Sequence, residues 1–201
     1  MGDWVRQLIE QSGYLGVTLL MFAETIFPPI PSEVIMSLSG LQAQRGTMTL
    51  WGAILAGTLG AMAGNTVWYA VARALGIDRF HPLVDRHGRL LTVDWKELKR
   101  ADHFFDRWER WFVCLGRMVP TIRSLVSIPA GLFGMRFVPF LIWSTIGTAG
   151  WTALLAVAGY LLAERYSEVD RYLGPVSTGV VVALLLWYLF RVVTWKPSPR
   201  P

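Results

Sequence analysis

Four ionisable side chains lie in apolar stretches of a chain that is 53% hydrophobic and 16% charged. Glu24 and Glu33 fall within residues 14–41, and Arg117 and Arg123 within residues 111–135. Both stretches are interrupted by prolines: Pro28, Pro29 and Pro31 in the first, Pro120 and Pro129 in the second. A charge at bilayer depth costs roughly 2.5–3.5 kcal/mol on insertion scales, so it lines a cavity or finds a partner. Acids in one broken stretch and guanidiniums in the other imply that the two meet. Arg117 and Arg123 flank Pro120, and an unbroken helix would turn the second about 240° away from the first. A break at Pro120 lifts that constraint, and two converging guanidiniums form a bidentate receptor for phosphate or carboxylate. Glu24 and Glu33 could neutralise the arginines or take up protons, since an apolar setting disfavours a carboxylate's charge. A static ion-pair network that merely holds the stretches together is the plainer alternative.

The elements that must position these groups are membrane elements. A soluble domain carries nearer a quarter charged residues. Uncharged runs at 50–72, 137–163 and 173–190 approach the roughly 20 residues a spanning helix needs. The sequence predicts one all-α polytopic membrane domain over 1–201. Its parts are re-entrant hairpin 1 (14–41), a transmembrane helix (50–75), a cytoplasmic amphipathic loop (76–110), re-entrant hairpin 2 (111–135), and transmembrane helices at 137–163 and 173–193. Neither arm of 14–41 spans alone. The Pro-Pro-Ile-Pro between them removes amide donors, so its backbone must be buried in protein or face a watery cavity.

The order repeats. Gly57-Thr58-Leu59-Gly60 matches Gly147-Thr148-Ala149-Gly150 at an offset of 90, and Pro28, Ile30, Ser32 and Val34 match Pro120, Ile122, Ser124 and Val126 at 92. A hairpin returns to its own side and the helix at 50–75 crosses, so the two units have inverted topology, a transporter signature. Ala56, Gly60 and Gly64 form a small-residue stripe for close packing, expected against a hairpin.

Nine of the 19 Lys and Arg lie between Arg73 and Arg110, with interleaved acids that argue against nucleic acid as a partner. Within that region Trp95, Leu98, Phe105, Trp108 and Phe112 recur at helical spacing, as on a helix lying in the interface. A cytoplasmic loop here puts the C-terminus inside as well. The first twelve residues mix Asp3, Arg6 and Glu10 and do not form a signal peptide. The lone Cys114 excludes an intrachain disulfide. No residue pattern calls for a cofactor or a metal, and a homo-oligomer stays open.

Glu24-x-x-x-Pro28-x-x-Pro31-Ser32-Glu33 resembles the first-hairpin motif of the DedA family, bacterial inner-membrane proteins sharing the VTT or SNARE-associated domain. Gly116-Arg117-x-x-Pro120-x-x-Arg123 with Pro129-Ala130-Gly131 resembles its second-hairpin motif. Gly60-x-x-x-Gly64-Asn65-x-x-x-Tyr69-x-x-x-Arg73-x-x-Gly76 resembles the stretch after hairpin 1. The resemblance implies a translocator of a phosphate-bearing lipid, undecaprenyl phosphate or a phospholipid, linked to the proton motive force. It implies essential acids at Glu24 and Glu33 and essential arginines at Arg117 and Arg123. Many members carry aspartate where Asn65 stands and glycine where Ala72 stands, so Asn65, Tyr69 and Arg73 are the weaker site candidates.

Two other classes compete. A polyprenyl-phosphate phosphatase would need a nucleophile, base or metal near the arginines. His81, His87 and His103 all fall in the polar loop, though Glu24 and Glu33 could hold a metal. A proton-coupled exporter of small ions or drugs would use the same charges without a phosphate.

Overall fold

A computed structural model describes residues 2–27, 31–91, 105, 108–120 and 122–162, with backbone alone at 2–4 and 77–91. The described residues are helical and contain no strand. The helices are α1 (Gly2–Ile26), α2 (Ser32–Gln44), α3 (Leu50–Leu91), α4 (108–117), α5 (Ser127–Leu132) and α6 (Phe137–Leu161). The expected helix at 173–193, most of the loop at 76–110 and the breaker Pro28 lie outside the described residues.

Among the described residues two stretches are long and apolar enough to cross a membrane: Leu50–Gly76, 27 residues, and Phe137–Leu161, 25 residues. At 1.5 Å per residue each exceeds the roughly 30 Å hydrocarbon core. The apolar part of α3 ends at Gly76, whose φ is +62°. Beyond it the helix continues to Leu91, where the sequence predicted a loop. Leu15 and Leu19 on α1, Trp51, Leu55 and Leu59 on α3, and Ile142, Ile146 and Leu154 on α6 are all more than half exposed. Apolar side chains displayed in rows on three helices need a lipid surround.

α1 kinks at Gly13 (φ +53°, ψ −130°), one residue before the expected start of hairpin 1. After Ile26 the chain turns, and Pro31 caps α2 with extended backbone (φ −75°, ψ 121°). The Gln42 amide donates to Glu10 Oε1 at 2.9 Å, so the end of α2 returns beside the start of α1 and the two run antiparallel. α4 ends at residue 117 in tight turns, Met118 N–H to Leu115 C=O and Val119 N–H to Gly116 C=O, just before Pro120 removes a donor. Turns run from 122 to 126 into α5. Pro129 is not the breaker expected from the sequence. It sits in the first turn of α5, where a missing N–H goes unnoticed because first-turn amides have no intrahelical acceptor.

The two halves pack alike. α2 and α5 each end at a glycine in the left-handed region, Gly46 (φ +79°) and Gly134 (φ +80°). At each, the next N–H reaches back five residues: Thr47 to Gln42 C=O, and Met135 to Ala130 C=O. Gly40 of α2 lies on α6, where an added Cβ would strike the Ala156 carbonyl and the Tyr160 amide. Gly131 of α5 lies on α3, where it would strike the Tyr69 carbonyl and the Arg73 amide. α1 runs alongside α3 in the same direction, Tyr14 against Gly52, Thr18 against Gly60 and Thr25 against Gly64. The stripe of Ala56, Gly60 and Gly64 therefore receives the first arm of hairpin 1. α4 runs alongside α6 likewise, Trp111 against Trp143 and Cys114 against Gly147. α3 and α6 cross antiparallel, joined at one level by a Thr58–Thr152 hydroxyl pair at 2.9 Å. Phe105 is buried against Phe112 and Phe133, while Trp108 is about half exposed.

Candidate functional site

The proline-broken ends of the two halves meet between α3 and α6. Arg117 leaves the last turn of α4 and is 2% exposed. Its Nε donates to Ser144 Oγ at 2.9 Å, Nη1 to Asn65 Oδ1 at 2.8 Å and to the Arg123 carbonyl, and Nη2 to Ser127 Oγ at 2.6 Å. Each acceptor is neutral, and they come from α3, α5, α6 and the turn after Pro120. A buried charge is tolerated when such dipoles meet its donors, and four of the five N–H groups are met here. The fork thereby pins hairpin 2 to both spanning helices. Phe140 lies under the guanidinium at 6.0 Å.

Arg123 follows a different logic. Its Nη2 donates to Glu24 Oε1 at 2.5 Å, an ion pair with side-chain exposures of 12% and 6% that joins hairpin 2 to hairpin 1. Trp151 covers the guanidinium with its ring centroid 5.8 Å away. Arg123 Nε is buried and has no hydrogen-bond partner among the described residues.

Glu24, Asn65, Arg117 and Arg123 line one cavity with Thr25, Thr148 and Trp151, of about 20 Å³. That is room for about one water molecule and not for a phosphate group. The meeting of acid and guanidinium implied by the sequence is present here for Glu24. The two arginines share the cavity, yet they do not form a matched pair: Arg117 donates to four neutral oxygens, and Arg123 is held by the acid Glu24.

Glu33 stands apart from the lining. It occupies the first turn of α2, partly exposed, close enough to Glu24 for the two carboxylates to interact. Tyr69 and Arg73 lie farther along α3 and both donate to the Met135 carbonyl, at 2.5 and 3.3 Å. Tyr69 also stacks on Phe140 at 4.2 Å, so this pair fixes the α5–α6 junction to α3. Among the described residues no three His, Cys, Asp or Glu side chains gather in a metal-binding cluster. Ser127, Ser144, Thr148 and Trp151 were not singled out from the sequence. Thr148 did belong to the repeated Gly-Thr-x-Gly motif, the one signal that pointed toward it.

The family model described as VTT domain matches residues 30–161. An "Alkaline phosphatase-like protein" of Lactococcus lactis subsp. lactis is 34% identical over 194 residues, covering 96% of this chain and 91% of that protein. "Undecaprenyl phosphate transporter A" of Staphylococcus aureus is 27% identical over 195 residues, covering 97% and 96%. The protein of the same name in Bacillus subtilis is 25% identical over 198 residues, covering 95% and 96%. Among solved structures no significant match is found.

Proposed function

Because the chain belongs to the VTT-domain (DedA) family of membrane proteins, we propose that it translocates a phosphate-bearing lipid across the bacterial inner membrane. The headgroup crosses at the cavity between the hairpins, and the tail stays in the lipid. The observation that carries this reading is the Arg123–Glu24 ion pair. It is a guanidinium at the junction of two hairpins whose partner is an acid from the opposite one, and a phosphate can take that acid's place. Undecaprenyl phosphate is the cargo in the names of two nearly full-length relatives.

In this mechanism Arg117 positions and Arg123 grips. Arg117 has its donors occupied and contributes a fixed positive field. Arg123 exchanges Glu24 for the phosphate, and a proton on Glu24 favours that exchange by removing the competing charge. Glu33 is a second carboxylate on the path the proton would take. Asn65 holds Arg117, and Tyr69 and Arg73 hold the frame.

The domain is read as an inverted repeat: hairpin 1 with the helix at 50–75, and hairpin 2 with the helix at 137–163. Three observations support it. α1 runs with α3 as α4 runs with α6, Gly40 and Gly131 make equivalent contacts, and α3 and α6 run in opposite directions. With residues 76–110 cytoplasmic, hairpin 2 enters from the cytoplasm and hairpin 1 from the other side. The helix at 173–193 then returns the C-terminus to the cytoplasm.

The test is translocation of a fluorescent polyprenyl phosphate in proteoliposomes. Arg123→Ala abolishes it while the protein remains folded, and normal translocation by this variant refutes the assignment. The name of the Lactococcus relative favours one rival, hydrolysis of the phosphoester. Release of inorganic phosphate from undecaprenyl phosphate by the purified protein would replace translocation with that activity.

A further inference from the structure

Resting on the lipid-phosphate reading, we propose that Thr148 and Trp151 of α6 are ligands of the headgroup, completing with Arg123 a receptor for a phosphate monoester. Both residues line the cavity with Arg123 and Glu24. Thr148 Oγ1, Trp151 Nε1 and Arg123 Nε are each buried and each lacks a hydrogen-bond partner among the described residues. A buried donor left unpaired is costly, so three around one cavity need a reason.

An oxyanion supplies it. When Glu24 leaves, Arg123 Nη2 becomes a fourth free donor beside these three. The four donors sit on two elements, the turn after Pro120 and the middle of α6. A terminal phosphate offers three oxygens with lone pairs to spare, whereas a phosphodiester offers two unbridged ones. Either can accept these donors, but a monoester carries about −1.5 to −2 near neutral pH against −1 for a diester, so it is the stronger rival of Glu24 for Arg123. The present volume of about 20 Å³ is too small for that group, and Glu24 is among the residues that line it, so its departure from Arg123 enlarges the space. Trp151 has a second role in the same place, since its ring face covers the Arg123 guanidinium. The indole can orient Arg123 through its face and meet the phosphate through its N–H.

The variants separate these roles. Trp151→Phe keeps an aromatic face and deletes the N–H, while Thr148→Val keeps the shape and deletes the hydroxyl. The probe is farnesyl phosphate, titrated against the full chain in detergent and read by native mass spectrometry, with melting temperature recorded in the absence of lipid. Each variant is expected to weaken binding about tenfold or more, the effect of losing one bond to a charged acceptor, at an unchanged melting temperature. Thr148→Ser retains wild-type binding. Wild-type affinity in both Trp151→Phe and Thr148→Val overturns this assignment and leaves the transport reading standing. Failure of the unaltered chain to bind farnesyl phosphate overturns both.

Discussion

Glu24→Gln separates a competing acid from a structural one. The Arg123–Glu24 contact is 2.5 Å long and nearly excluded from solvent. Two unit charges about 4 Å apart at an effective permittivity of about 20 attract by about 4 kcal/mol. Glutamine keeps the shape and removes that attraction, leaving Arg123 buried without an anion, at a cost of about 3–5 kcal/mol to the ligand-free protein. If phosphate and Glu24 contend for Arg123, the same energy returns when phosphate binds. At 1.4 kcal/mol per decade it sets a ceiling of about a thousandfold on the gain in affinity. Water and relaxation take part of it, so the expected gain lies between about tenfold and that ceiling. Calorimetric titration with farnesyl phosphate measures it, and melting curves check the linkage: the variant melts lower alone and is raised more by the ligand. Lowering the pH strengthens binding by the parent chain as Glu24 takes a proton, and the variant loses that response. A variant that melts lower yet binds no more tightly than the parent refutes the exchange and leaves Glu24 as a structural strut.

Five further outcomes follow from the packing. Arg123→Lys retains measurable translocation, because an ammonium still attracts phosphate. Arg117→Lys lowers thermal stability by ~3 kcal/mol, because Lys cannot reproduce a fork saturated by four oxygens. Asn65→Asp raises the melting temperature, by the ~1.5–3 kcal/mol of a hydrogen bond between charged groups, since Arg117 is already buried and gains an anion at Nη1. Gly40→Ala and Gly131→Ala each cost ~3 kcal/mol or more by striking facing backbone, whereas Gly46→Ala, which meets open space, costs ~1–2 kcal/mol for its left-handed backbone, all measured by unfolding in detergent. Thr58→Cys with Thr152→Cys, in a Cys114→Ser background, cross-links within one chain under mild oxidation; failure to form that bond would refute the contact of α3 with α6 at this level.

What the sequence made legible is what leaves a charge or a backbone mark. Glu24 and Arg123 stand 99 residues apart and still announce each other, because each is too expensive in an apolar run without a partner. The Gly60–Gly64 stripe announces a close approach because no other residues let backbones come so near. The illegible parts are neutral. Ser127 and Ser144 each accept from Arg117, yet serines in an apolar run look like small packing residues. A proline's meaning depends on register: at 120 it follows a helix, at 129 it begins one, and composition is the same in both cases. The helix continuing past Gly76 to Leu91 was missed for a related reason, since charges that suggest a solvated loop also decorate a helix leaving the membrane.

Two arginines six residues apart thus acquire unlike tasks from their surroundings alone. The break at Pro120 leaves Arg117 on the end of a helix that α6 already grips through Gly147, and sends Arg123 into a turn facing the other hairpin. Burial without an acid is met by four hydrogen bonds from Arg117 to neutral oxygens, so that side chain cannot move without breaking its ties to α3, α5 and α6. In the proposed mechanism, burial with an acid leaves Arg123 a partner that a proton can neutralise and a phosphate can replace. A cleft that must bind and release an anion in a low-permittivity setting needs both kinds. The fixed charge keeps the cleft attractive to phosphate, and the exchangeable pair keeps that attraction from becoming a trap.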